Sequence, residues 1–260
     1  MDITSDMTVT AYTLAALGVL IAGVSKGGFG AGVGFLATPL MALVISPVEA
    51  VAIMLPLLIL MDHVGVVSYW RKWSWAAVRP IVLFGAVGIL IGSLVFQYVS
   101  ADALRLGLGV IAILFTAFQV AQSRGHIRAL HSRERWGGDL AGAIFGTATG
   151  FTSTISHAGG PPVTAHLLSL NLDKLTYQAS SVLIFWAINL LKVGPFIAIG
   201  VMDGASLWRS LVLAPFAIIG VLIGIWAHKH VPQTLFFRVM TVALFITGAK
   251  LIWDGATGLL

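Results

Sequence analysis

Two glycine-dense stretches hold the residues best suited to chemistry. The first is Ser25-Lys26-Gly27-Gly28-Phe29-Gly30, running on to Gly34; the second runs from Thr152 to Gly160. Both interrupt apolar runs. A helix that starts after such a break aims several free N–H groups at one point, and its dipole favours negative charge there. Lys26 adds a full positive charge and Ser25 a hydroxyl. In the second stretch Thr152, Ser153, Thr154, Ser156 and His157 supply hydroxyl and imidazole donors. Gly159 and Gly160 allow a ligand close to the backbone. The chemistry expected is reversible binding of a small anion. The glycines also have a packing reading, because small residues spaced four apart bring membrane helices together; Gly23, Gly28 and Gly32 fit either role. Lys26 is read as functional because a buried ionisable group within a span marks a site by default. The bland reading is a lysine whose head reaches the interface.

Further polar residues lie inside other apolar runs. Asp62 and His63 pair a carboxylate with an imidazole, suited to relaying a proton or holding a coupling cation, or to an interface pair. Asn189 and Lys192 occupy the corresponding run of the second half, with Asn189 roughly opposite His63 in the alignment of halves. Lys192 reads as a second anion contact or as the snorkelling end of a helix. His166, Gln97 and Gln119 are accounted for by hydrogen bonds between helices. No catalytic set is present. Gly-x-Ser-x-Gly, His-Glu-x-x-His and the P-loop are absent, so the chain is expected to be no enzyme and to use no ATP. His157 with Ser153 and Ser156 lacks a third member of a hydrolytic set. Cysteine is absent, which removes disulfides, thiolate nucleophiles and Cys-bound metals. No cofactor and no metal is expected.

The elements that must position these residues follow from composition. Hydrophobic types make up 58% of the 260 residues and charged types 10%. A soluble domain carries about 25% charged residues, so an ordinary soluble globule is excluded, and so is disorder. A span needs about 20 apolar residues. The runs fall at 9–25, 33–45, 48–69, 76–99, 102–122, 138–151, 161–171, 175–201, 206–227 and 233–253. The fold class expected is an all-α integral membrane protein of about 8–10 helical segments in two duplicated halves. Residues 1–122 form the first repeat, 123–137 a basic cytoplasmic loop and 138–260 the second. Gly88-Ile89-Leu90-Ile91-Gly92 matches Gly220-Val221-Leu222-Ile223-Gly224 at the same place in each half. Duplicated halves are common among transporters. Each half opens with a broken or re-entrant helix pair.

The net charge of +5 acts in this setting on orientation rather than on nucleic acid. Arg71, Lys72 and Arg79 in one loop, and Arg124, Arg128, Arg133 and Arg135 in the central loop, place both loops in the cytoplasm. The acidic N-terminus, with Asp2 and Asp6 and no basic residue before Lys26, suits the outside and lacks the marks of a signal peptide. The two halves are then inverted relative to each other. Tyr69, Trp70, Trp73 and Trp75 mark an interface, as do Trp136, Trp208 and Trp253, whereas Trp186 lies within a run and is expected to pack between helices.

The series Val24-Ser25-Lys26-Gly27-Gly28-Phe29-Gly30-Ala31-Gly32-Val33-Gly34-Phe35, with Pro39-Leu40 and Ser46-Pro47-Val48-Glu49-Ala50, resembles the TauE/SafE family, also called the toluene sulfonate uptake permease family. So does His157-Ala158-Gly159-Gly160-Pro161-Pro162 in the second half. The resemblance covers nearly the whole chain. It implies a small, duplicated permease of the bacterial inner membrane that exports sulfite or an organosulfonate such as sulfoacetate. Asn171-Leu172-Asp173-Lys174-Leu175 departs from the turn expected at that point of the second half. Together with the anion-site argument, the expectation is a secondary transporter working by alternating access, with an anion channel, or a permease for another small organic anion, as the alternative. Its partners are a small anionic substrate, a coupling proton or sodium ion and the lipid bilayer, with no nucleic acid. Coupling candidates are Asp62, His63 and His157. The sequence leaves the oligomeric state open, a homo-oligomer included.

Overall fold

A computed structural model describes residues 8–29, 34–123 and 138–259. Gly30, Gly32, Asp2, Asp6 and the four arginines of the central loop lie outside the described residues. Every described element is helical. Helix α1 (Val9–Val24) runs on into one wide π-helical turn, Ser25–Phe29. A short 3-10 turn, Gly34–Leu36, leads into α2 (Ala37–Ala42). The first half continues with α3 (Pro47–Ser68), α4 (Trp75–Tyr98) and α5 (Ala101–Ser123). The second comprises α6 (Gly138–Ser156), α7 (Gly160–Ser169), α8 (Lys174–Ala198), α9 (Gly204–His230) and α10 (Gln233–Leu259).

Among the described residues, seven segments are long and apolar enough to cross a bilayer: α1 with its π turn, α3, α4, α5, α8, α9 and α10. Helix α7, at 10 residues, is about 15 Å long and cannot reach across a core of about 30 Å. The surface agrees with a lipid setting. Leu83, Leu90 and Leu94 of α4 and Leu211, Ile219 and Leu222 of α9 are exposed. Ser25, Asp62, Ser153, His157, Asn189 and Lys192 are buried. Water would drive the opposite arrangement. The chain is a multi-pass membrane protein.

Glycine contacts set the helix pairing. Helix α1 and its π turn lie on α9, where Gly23 meets Gly220, Gly27 meets Val221 and Gly28 meets Gly224, backbone against backbone. Helix α6 lies on α4 in the same manner: Gly88 meets the Thr147 carbonyl, Gly150 meets Gly85 and Gly92 touches Thr154. A methyl group added at Gly28 or Gly88 would overlap a facing carbonyl. Gly23 and Gly28 therefore do serve packing. Helices α5 and α10 pair, and α3 packs on α8. An ion pair between Glu49 and Arg209, with a 2.8 Å bond from the Ser210 hydroxyl to the Ile53 carbonyl, ties the start of α3 to the start of α9. At the start of α4, the Ser74 N–H donates to Ser180 of α8 at 3.0 Å.

The second break is shorter than the polar stretch 152–160 suggests. Helix α6 continues through Ser156. Its hydroxyls fold back: Thr149, Thr152, Thr154 and Ser156 donate to the carbonyls of Phe145, Ala148, Gly150 and Thr152. Such bonds let hydroxyl residues sit inside a helix. Only His157, Ala158 and Gly159 separate α6 from α7, and His157 adopts a left-handed φ of 58°. The starts of α3 and α8 are capped by side chains. The Glu49 N–H donates to Ser46 at 3.1 Å, and the Leu175 and Thr176 N–H groups donate to Asp173 at 3.0 Å. Asp173 thus does in the second half what Ser46 does in the first, although the local sequences differ. Asp203 caps α9, and the Ser206 N–H holds its carboxyl below the usual carboxylate range.

Candidate functional site

The ends of the two breaks face the crossing of α3 and α8. The π turn projects Lys26 onto Asp62 of α3, with which it forms an ion pair. The other Asp62 oxygen accepts from Asn189 Nδ2 of α8 at 2.8 Å. This binds three elements around one carboxylate, which is 4% exposed. A turn further along α8, Lys192 is completely buried. Its Nζ donates to the Ser153 carbonyl at 3.1 Å, to the Ser153 hydroxyl at 3.0 Å and to His157 Nδ1 at 2.7 Å. His157 Nε2 lies 3.0 Å from the Val51 carbonyl, which can only accept. The Nε2 atom therefore carries the proton, Nδ1 accepts from Lys192, and the imidazole is neutral.

The left-handed backbone at His157 is what turns its ring from the end of α6 toward both α3 and α8. A non-glycine residue there costs about 1–2 kcal/mol, and such strain concentrates at functional positions. Phe185 stands between the two breaks. Lys26 Nζ lies 5.7 Å from the centre of its ring, and the Cε1 edge of the ring borders Gly159. Lys192 in turn lies 6.0 Å from the ring of Phe196. Among the described residues, the amines and carboxylates bonded at this crossing are Lys26, Lys192 and Asp62. Lys26, Asp62 and Lys192 act on one another electrostatically.

The structure brings some of the residues expected from sequence together here. Lys26, Asp62, Ser153, His157, Asn189 and Lys192 form the bonded network, with Gly159 bordering Phe185. Ser25 heads the π turn and is fully buried. Gly27 and Gly28 face α9. Phe29 ends the π turn and Gly160 begins α7. Thr152, Thr154 and Ser156 spend their hydroxyl protons on their own helix. His63 lies apart: it is exposed, with its ring 6.3 Å from that of Trp186. Phe185, Phe196 and the Val51 carbonyl escape sequence reasoning. A phenylalanine in an apolar run carries no mark that separates a site wall from packing.

A charged, solvent-poor cluster at the meeting of two broken helices suits the passage of a small charged solute better than bond-breaking chemistry. The family model described as sulfite exporter TauE/SafE matches residues 14–251. The chain belongs to the TauE/SafE family. No curated protein matches it, and no solved structure does. TauE/SafE proteins are membrane transporters, exporter permeases for sulfite and related anions, and not enzymes. The matched span contains every member of the Lys26–Asp62–Asn189 and Lys192–His157–Ser153 network. In this TauE/SafE chain both lysines come from glycine-flanked or proline-flanked helical segments, Lys26 before Gly27 and Lys192 before Gly194-Pro195.

Proposed function

We propose that the chain is a secondary transporter that moves a small sulfur oxyanion, sulfite or an organosulfonate such as sulfoacetate, outward across the bacterial inner membrane. The observation that carries this reading is the pair of amines at one crossing, the fully buried Lys192 and the partly buried Lys26, with Asp62 as the one carboxylate bonded there among the described residues. An uncompensated charge buried in low dielectric costs several kcal/mol, so the cluster calls for a further negative charge. The substrate lies between the two lysines, with Asn189, Ser153 and His157 as polar contacts.

The two halves act as inverted repeats that rock about this site, exposing it to each side in turn. Helix pairing supports the arrangement: exchanging α1–α5 with α6–α10 turns α1 on α9 into α6 on α4, and leaves α3 on α8 and α5 on α10 unchanged. Gly88 and Gly92 pack as Gly220 and Gly224 do. Asp62 and Asn189 stand equally far along the chain from the caps Ser46 and Asp173. With no ATP-binding motif, an ion gradient supplies the energy; a proton carried by Asp62 or His157 fits the geometry better than one carried by the outlying His63.

Reconstituted proteoliposomes test the reading. An imposed proton gradient should drive sulfite accumulation against its own gradient, and Lys26→Ala should abolish flux while the protein still folds. Wild-type flux in Lys26→Ala would refute the site. Flux that only ever runs downhill would show a channel.

A further inference from the structure

We infer that Asp62 sets the charge of the cargo, and that the site is built for an anion bearing a single negative charge. The inference rests on the reading that an anion binds at this crossing. In their ordinary ionised forms, held by these contacts, Lys26 and Lys192 each contribute one positive charge beside the bound anion and Asp62 one negative charge. His157 contributes none, because its Nε2 proton is directed at the Val51 carbonyl and its Nδ1 lone pair at Lys192. Glu49 and Arg209, an ionic pair that joins α3 to α9, cancel each other at the helix starts. His63 is exposed and outside the network. One negative charge therefore closes the balance, and a doubly charged anion leaves one in excess. Excess charge in a water-poor site is expensive in a way that excess charge at a surface is not. Among sulfur oxyanions this favours hydrogen sulfite and simple monosulfonates over sulfate, and it narrows the proposed substrates by placing hydrogen sulfite ahead of sulfoacetate, which is a dianion.

Asp62 is placed to act as this selector. One of its oxygens already occupies a lysine that an incoming oxyanion would otherwise take whole, and Asn189 holds the other oxygen in place. The carboxylate is thus a resident anion that uses up one of two positive charges. Removing its charge, and nothing else, should make room for one more on the ligand.

The test is calorimetric binding of two matched tetrahedral probes, methanesulfonate and sulfate, to the purified full-length protein. The quantity read is the ratio of the two dissociation constants, compared between variants so that the different hydration of the probes cancels. Asp62→Asn should move the ratio toward sulfate by at least about tenfold. The double variant Lys26→Gln with Asp62→Asn removes one charge of each sign and should return the ratio toward the wild-type value. It is also decisive if Asp62→Asn alone does not fold, since a ratio in the double variant displaced tenfold toward sulfate would overturn the inference. A ratio unchanged in Asp62→Asn would overturn it too. If neither probe nor sulfite bound the wild-type protein at tens of millimolar, the anion-site reading itself would fall, and this inference with it.

Discussion

Replacing Lys192 by methionine should yield a protein that folds and does not transport. The structure supplies the sum. A fully buried ammonium with no carboxylate in its own contact shell carries a desolvation cost of several kcal/mol. Its three hydrogen bonds, to the Ser153 carbonyl, the Ser153 hydroxyl and His157 Nδ1, each return about 1.5–3 kcal/mol. Methionine is similar in volume and removes both sides of that balance. What it leaves behind is modest. The Ser153 carbonyl keeps the His157 N–H as a donor at 3.0 Å. The Ser153 hydroxyl can turn to a carbonyl of its own helix, as Thr152 and Thr154 do. Only His157 Nδ1 loses its partner outright, at about 1–3 kcal/mol. The net change in stability should lie within about 3 kcal/mol of wild type, in either direction, by denaturant titration in mixed micelles. Sulfite flux in proteoliposomes should fall at least about 100-fold, since half of the positive charge at the site is gone. Loss of more than about 4 kcal/mol would mean that Lys192 holds the fold together; flux near wild type would mean that it does not meet the substrate. Either result refutes the reasoning.

Three further outcomes are expected. Lys26→Met leaves Asp62 buried without its cation and should cost about 3–5 kcal/mol, whereas adding Asp62→Asn should recover most of that loss, read by the same titration. Gly28→Val would drive a side chain into the Gly224 backbone and part α1 from α9, costing about 1–3 kcal/mol or more, with a lowered thermal midpoint in detergent. Acid should weaken the α9 start. The carboxyl of Asp203 is depressed in the folded state by the Ser206 N–H, so its contribution is present above the ordinary aspartate range and is lost as pH falls below about 4; the thermal midpoint of Asp203→Asn should fall less over that interval than wild type.

The spans are readable because length and hydropathy alone decide them: the runs 48–69, 76–99 and 102–122 correspond to Pro47–Ser68, Trp75–Tyr98 and Ala101–Ser123. The second break reads too long in the sequence, since a cluster of Thr and Ser looks like loop until their hydroxyls are seen bonded to their own helix. Counted from the caps Ser46 and Asp173, Asn189 stands level with Asp62, one position from the His63 that the sequence pairs it with, and the capping role of the turn before α8 only shows in the fold. Lys26 and Asp62 are each visible as buried charges, but nothing in the chain says that residues so far apart in sequence are partners. Phe185 is invisible for the opposite reason, being an apolar residue among apolar residues.

The contact between Asp62 and Asn189 has an ancestral consequence. If the halves descend from one copied segment, these two positions began as the same amino acid, touching itself across a dyad. Two aspartates in that place would repel, and two asparagines would leave the lysine of the π turn without a resident counter-ion. On that descent, the exchange of one amide for one acid, on one side only, is one step that would have made the halves unequal and given the molecule a polarity that its helices, taken as rods, do not have.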